Sequence, residues 1–475
     1  MGLTQVLIFA AAAILLRLLA RGVRRGWLLL VASALAIYWL QPGMPIRYLD
    51  FWLPTATLGL ASLSWVLVTP QEVCRQRENW LAGGLLAGVV LAVAVTRFLG
   101  SGSLFMATRP PQFGQAAAGA ALVFLLVLLA ARFLPRSSAF LTAGTLLILV
   151  LFVVIKVPAL SQFAAGALRT LSGQDAGRAL PTDIRWLGFS YVAFRLIHTL
   201  RDSQTGRLPA VSLRDYLVYA LFFPAFTAGP IDRLPRFQKE LEQPFAALDL
   251  PVDLGTGGQR FFTGLFKKFV VADSLSLIAL NGANAAQVRT GGWAYLMLIA
   301  YSFLIYFDFS GYTDIAIGLG RVLGFQLPEN FNHPYLKPNL TLFWNNWHMT
   351  LTQWFRAYFF NPFTRSLRRY KDLPAWVVIL VTQLATMTLI GLWHGATLNF
   401  LLWGAWHGLG LFVQNRWSDW LKPRSAWLEL QPWRKKLWQA LGVVLTFHYV
   451  ALGWLFFALP SPTLSWRVLN LIFGG

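Results

Sequence analysis

Apolar stretches close to twenty residues long recur along this chain, and a helix needs about 20 such residues to cross the hydrocarbon core of a bilayer. Six of them, at about 2 to 20, 26 to 41, 51 to 69, 80 to 99, 115 to 134 and 139 to 160, occupy the first third of the 475 residues. Others run at about 184 to 200, 212 to 228, 258 to 280, 293 to 309, 311 to 325, 374 to 392, 397 to 413 and 437 to 459. Only 12% of residues are charged, against about 25% in soluble domains, which excludes a soluble globular chain. Aromatic residues reach 15%, which suits two membrane–water interfaces where amphipathic rings settle. The expected fold is all-α, a polytopic membrane protein with about 11–15 transmembrane helices plus re-entrant or interfacial helices.

The net charge of +21 lies in short clusters between the apolar stretches, so it reads as positive-inside topology and not as a nucleic-acid surface. Alternating the loops puts eleven basic residues, among them Arg21, Arg24, Arg25, Arg75 and Arg77, on one side and seven on the other. That bias places the N-terminus outside and the 21–25 turn in the cytoplasm. The first apolar run is followed, not preceded, by its arginines, so it reads as half of a helical hairpin that stays attached and not as a signal peptide. The single cysteine, Cys74, excludes an internal disulfide framework and a cysteine metal cluster.

From residue 184 onward, ionisable residues sit within or beside apolar segments: Arg195, His198, Asp232, Lys267, Lys268, Asp273, Asp308 and Asp314. A charge at mid-bilayer costs at least about 2.5–3.5 kcal/mol, so such groups face a protein interior or a wet cavity. Residues 1–160 therefore read as transmembrane scaffold and 184–475 as the machinery. The stretch 326–371, broken by Pro328, Pro334, Pro338 and Pro362, is too polar for a simple span and is expected to wall a cavity containing His348.

Four of the six histidines, His333, His348, His394 and His407, fall between 333 and 407. Histidine is the side chain most easily poised as a base near neutral pH, although a lone buried histidine among tryptophans is more often a hydrogen-bonded structural residue. Spacing within Phe343–Arg356 predicts one amphipathic helix with Trp344, Trp347, His348, Leu351, Trp354 and Phe355 on its apolar stripe. Burial there keeps an imidazole neutral, the form that accepts a proton. His394 and His407 each stand in a Trp-His-Gly triplet, and chemistry alone leaves the choice between them open. No spacing of zinc-ligand type occurs, and no phosphate loop, dinucleotide fingerprint or nucleophile elbow. A transporter with His348, His394, Asp308 and Asp314 as a proton relay is the rival reading, but it calls for pseudo-symmetric halves that the sequence does not display.

Five segments, Phe226–Arg233 (FTAGPIDR), Tyr306–Asp314 (YFDFSGYTD), Pro328–Asn332 (PENFN), Phe343–His348 (FWNNWH) and Leu392–Gly395 (LWHG), resemble in order and separation the membrane-bound O-acyltransferase family, in its bacterial alginate O-acetylase and teichoic-acid D-alanylation branch. The resemblance covers about residues 184 to 415, and it departs from the family pattern at Asn346 and Ala357. It implies helices around a central tunnel, His348 as catalytic base and His394 lining the same tunnel. Trp344, Trp347, Trp393, Asp308, Tyr312 and Asp314 then belong to tunnel lining or support, and Asn345 or Asn346 to oxyanion stabilisation. The donor implied is acetyl-CoA, or a carrier protein's pantetheine thioester, used as a substrate, with neither bound cofactor nor metal. Arg356, Arg365, Arg368, Arg369 and Lys371 are the candidate contacts for an anionic donor. The acceptor implied is an extracytoplasmic partner protein or glycan of the cell envelope, with the chain lying multi-pass among the lipids of a bacterial inner membrane.

Overall fold

The computed structural model describes residues 2–19, 24–99, 105–243, 250–424 and 431–475. Arg21, one of the arginines in the topology count, lies outside the described residues. The described residues hold helices and no strands, as a bilayer demands of a chain that must satisfy its backbone internally. Among the described residues, seven helices are long and apolar enough to cross a membrane: Leu49–Val68, Arg77–Phe98, Phe113–Phe133, Ser138–Lys156, Gly291–Val322, Ala375–His394 and Pro432–Ala458. Two 17-residue apolar helices, Leu3–Leu19 and Arg24–Leu40, stand beside them. Prolines mark several starts: Pro374 precedes one helix, while Pro432 and Pro462 each open one, where a missing N–H costs nothing.

Two apolar segments of the sequence, 293 to 309 and 311 to 325, form one 32-residue helix, Gly291–Val322, and not two spans. Gly311 does not break it. A side chain there would meet the backbone N of Lys268 at 2.8 Å and the carbonyl of Gly264 at 2.9 Å, so this glycine serves close approach of a neighbouring segment. The 212–228 segment also differs from a span: its helix, Leu213–Leu221, has nine residues, a length of about 13 Å at 1.5 Å per residue. All but one of those residues is buried in protein.

The chain divides into two compact units. The first comprises Met1–Phe261 with Ile315–Pro328, and the second Phe262–Asp314 with Glu329–Gly475.

In the first unit, 67% of the Leu49–Val68 window is enclosed by protein against 11% of the Ser138–Lys156 window, so the former is interior and the latter presents its apolar side chains outward. Buried charges here are tied to fixed partners. Arg195, 2% exposed, donates from Nη1 to the Ala220 carbonyl at 3.0 Å and from Nη2 to those of Ala225 and Pro230 at 2.9 and 3.5 Å. The Phe226–Arg233 motif thus helps to form a carbonyl cage for a guanidinium. Arg25 likewise donates to the carbonyls of Glu240, Leu241, Gln243, Leu323 and Gly324 and lies 4.3 Å from the Phe325 ring centre. Asp253 is held between Arg17 at 3.3 Å and Arg321 at 2.9 Å. His198 accepts from the backbone N of Leu234 at 3.2 Å, and Asp232 pairs with Arg236.

In the second unit the helices Ala375–His394 and Leu398–Leu421 form a hairpin with almost no gap. A side chain at Gly391 would collide with the Phe400 carbonyl, one at Gly404 would sit 2.6 Å from the Met387 carbonyl, and one at Gly408 would sit 2.8 Å from Leu384 Cα. Small residues at a helix interface allow this approach in a membrane protein, where packing replaces the hydrophobic drive.

Candidate active site

The continuous helix expected over Phe343–Arg356 is broken at the position that matters most. Two seven-residue helices, Leu340–Asn346 and Met349–Phe355, meet at Trp347 and His348, and His348 has φ 42° and ψ 54°, the left-handed region. The PENFN motif explains the break. The Met349 N–H donates to the Asn330 carbonyl at 2.9 Å, and the Asn332 N–H donates to the Asn346 carbonyl at 3.1 Å. Asn330, fully buried, also accepts on Oδ1 from Thr350 N at 3.2 Å and Thr350 Oγ1 at 2.6 Å. Backbone groups that would have continued the helix are therefore satisfied by a second segment, and the turn that results carries the imidazole sideways.

That imidazole is 3% exposed. Its ring centre lies 4.6 Å from Phe309, edge to face, and 6.2 Å from Trp393. Neither Nδ1 nor Nε2 has a hydrogen-bond partner. Burial alone holds its pKa down at about 3, well below the ordinary histidine value, so the ring is neutral and its acceptor nitrogen is available. Asn330 and Phe309 emerge as the groups that place and enclose His348. Both stand in motifs legible in the sequence, but a polar residue 18 positions away carried no signal of its contact.

Trp347 packs against Phe331, Phe343 and Trp454 at 5.2, 5.5 and 5.2 Å between ring centres. Trp344 meets Trp403 at 5.7 Å and His407 at 5.1 Å. His394 ends the Ala375–His394 helix, half-buried, with its ring against Trp393, Trp403 and Phe457 at 4.4, 5.6 and 4.8 Å. The His348, Trp393 and His394 rings thus form one consecutive set. His407 is fully buried in the same aromatic layer, with both nitrogens unpartnered.

The remaining candidates divide. Arg356 is exposed, starts a π-helical turn and donates from Nη2 to Asn345 Oδ1. Asn346 Nδ2 donates to the Leu342 carbonyl at 2.8 Å, which uses one of its two N–H groups and leaves the other for an oxyanion. Asp314, 3% exposed, pairs with Lys267 at 2.7 Å, and Asp308 pairs with Lys268. Both carboxylates are neutralised by adjacent lysines, a supporting arrangement that a proton relay does not favour. Tyr312 is buried two residues before Asp314. Arg365, Arg368, Arg369 and Lys371 are all exposed, around and just beyond the helix Asn361–Leu367.

A cleft of about 700 Å³, mouth included, is walled by Trp344, Asn345, Thr352, Arg356, Gln383 and Thr386, with apolar side chains between them. The 326–371 stretch does wall a cavity, but His348 is not in the lining of this one. The left-handed turn has moved the imidazole into the ring layer instead. Among the described residues no three His, Cys, Asp or Glu side chains are grouped to hold a metal ion.

The fold and this layer define a multi-pass membrane protein that encloses an unpartnered imidazole among aromatic rings. The chain belongs to the membrane-bound O-acyltransferase family (MBOAT), whose members are O-acyltransferases, and residues 133–457 match that family. It is 35% identical over 293 residues to a probable alginate O-acetylase, AlgI, of Pseudomonas aeruginosa, covering 60% of this chain and 51% of that protein. It is 30% identical over 277 residues to a teichoic acid D-alanyltransferase of Bacillus subtilis, covering 58% and 69%. A peptidoglycan O-acetyltransferase of Helicobacter pylori is 33% identical over 261 residues, covering 54% and 46%. The matched region spans about half the length of the alginate O-acetylases.

Proposed function

We propose that this chain transfers an acyl group, acetyl in the first instance, from a thioester donor made in the cytoplasm to a hydroxyl outside it. The acceptor is a cell-envelope polysaccharide or an extracytoplasmic partner protein that passes the group on, and the chain resides in a bacterial inner membrane with its N-terminus outside. Residues 1–160 serve as transmembrane scaffold and 184–475 as the catalytic core. The observation that carries this reading is the neutral, enclosed His348 with two unpartnered nitrogens. The relatives support it, since their names describe O-acetyl or D-alanyl transfer to envelope polymers.

In the step proposed, an imidazole nitrogen of His348 takes the acceptor hydroxyl proton as that oxygen attacks the thioester carbonyl, a contribution of about 10² to 10⁴ in rate. The tetrahedral oxyanion is met by the Asn345 amide or a backbone N–H. Collapse breaks the C–S bond, and the leaving thiolate recovers the proton from the imidazolium. His394 lines the path beside Trp393, and Arg356 with Arg365, Arg368, Arg369 and Lys371 attracts the phosphates of an anionic donor. Purified protein in detergent, supplied with acetyl-CoA and an envelope glycan, should release free thiol in proportion to ester formed. Wild-type protein that consumes no thioester with any acceptor, while remaining monodisperse, would overturn the proposal.

A further inference from the structure

The polar walls of the 700 Å³ cleft differ in how fully they are satisfied. Thr341 Oγ1 donates to Gln414, Arg356 donates to Asn345, Thr352 Oγ1 donates to the Trp347 carbonyl at 3.3 Å, and Thr386 Oγ1 donates to the Thr382 carbonyl at 2.6 Å. Two lining groups have no such partner. Gln383 Oε1 and Trp344 Nε1 are both buried, and neither makes a hydrogen bond. Gln383 is also the one side-chain amide of the 20-residue helix Ala375–His394, whose residues before the terminal His394 are otherwise apolar, aromatic or hydroxylic. A polar group there is expensive in a membrane unless it serves an interior function, and an orphaned buried group calls for an explanation.

The two orphans are complementary, one an acceptor and one a donor. A secondary amide offers an N–H to the first and a C=O to the second, while the apolar side chains between them suit the methylenes on either side. We propose that Gln383 and Trp344 form an amide-reading subsite in this cleft, which resting on the acyl-transfer reading takes the pantetheine arm of the thioester donor. The cleft lining contains no carboxylate, and the exposed guanidinium of Arg356 stands on it, as an arm ending in phosphate requires. The same chemistry is available from the N-acetyl group of an amino-sugar acceptor.

Three thioesters and two ligands separate these sources. Gln383→Leu should raise the KM of acetyl-CoA and of S-acetyl-N-acetylcysteamine about 3- to 10-fold, the loss of one net neutral hydrogen bond, with kcat unchanged. S-propyl thioacetate, which has no amide, should show no change. Trp344→Phe keeps the ring, removes the N–H and should shift the KM of the two amide-bearing donors in the same direction. Thermal-shift titration of the wild type with free pantetheine reads the subsite without turnover, and Gln383→Leu should weaken that binding by the same factor. A KM or binding change confined to an N-acetylglucosamine oligosaccharide overturns the assignment to the donor. Unchanged pantetheine binding and unchanged KM values in folded Gln383→Leu protein overturn the subsite, as does wild type that binds neither ligand. Gln383-dependent pantetheine binding with no thioester turnover keeps the subsite and defeats the acyl-transfer reading instead.

Discussion

The buried arginines of the first unit and four buried groups of the second are handled in opposite ways. In the first, Arg195, Arg25 and the Arg17–Asp253–Arg321 group meet carbonyls or carboxylates at hydrogen-bond distance. In the second, the imidazoles of His348 and His407, the indole N–H of Trp344 and the Gln383 amide oxygen are enclosed without partners. Burying a polar group without compensation costs free energy, so the first pattern stabilises a fold and the second does not. Enclosure alone is therefore a poor guide to chemistry in a membrane protein. Enclosure together with unsatisfied capacity is a better one.

The sharpest way to break this comparison is at His348. Asparagine tolerates the left-handed backbone that alanine resists, so His348→Asn should keep a monodisperse, thermally stable protein and lower acyl transfer by about 10² to 10⁴. Turnover near wild type in that variant would remove the base. Arg195→Leu should do the reverse. It leaves the Ala220, Ala225 and Pro230 carbonyls unpaired, at about 1–3 kcal/mol for each buried orphan, so melting temperature and yield should fall sharply while turnover per folded molecule persists. A stable but inactive Arg195→Leu protein would move that guanidinium from frame to chemistry.

Asn330→Ala lies between the two extremes. It removes two hydrogen bonds from Thr350 but leaves the Met349 backbone bond, and the expected cost is about 1–3 kcal/mol of stability. Activity should drop about tenfold through misplacement of the imidazole, and Asn330→Asp should restore part of it. Neutralising Arg365, Arg368, Arg369 and Lys371 together should raise the KM for acetyl-CoA several-fold with little change in kcat, because the contacts are remote from the carbonyl. Lost insertion with an unchanged KM would make that cluster purely topological.

The smallest effect is on pH dependence. His348 titrates near 3 in the folded protein and near 6.5 when unfolded. Between those values the unfolded chain binds the proton and the folded chain does not, so stability falls as pH drops from about 6.5 towards 3, and above 6.5 the group contributes no slope. His348→Asn should flatten that part of the acid unfolding curve. The rate profile of the wild type should show no inflection near 6.5 from this residue, and one that vanishes in His348→Asn would show the imidazole to be better solvated than its enclosure implies.

Much of this was legible in the chain. Apolar length marked the seven long apolar helices, although it also marked 212–228 as a span and divided Gly291–Val322 in two, and the Trp-rich FWNNWH segment placed His348 in an apolar, buried setting. Three things were not, for physical reasons. The helix break at His348 depends on backbone groups of Asn330 and Asn332, and hydrogen bonds between distant segments leave no local periodicity. Residues 293 to 309 and 311 to 325 read as two segments, whereas Gly311 between them admits the backbone of Lys268 to a helix that continues unbroken. Gln383 was visible as a lone amide in an apolar run, but whether such a group is satisfied depends on its neighbours in space. Burial by itself favours His407, the more deeply enclosed of the two, whereas His394 rests on the LWHG motif.

The two helices that meet at His348 have seven residues each, whereas an isolated helix shorter than about 12–15 residues is marginal in water. Neither half persists by its own propensity, so both rely on the Asn330–Asn332 strap and on the surrounding ring layer. Amides from about 340 to 355 should then exchange with solvent deuterium as one cooperative block, at a rate set by release of the strap and not by fraying from either end. Loosening this region would thus surrender the frame and the imidazole in a single event, leaving no half-assembled form in which an exposed histidine hydrolyses thioester to no purpose.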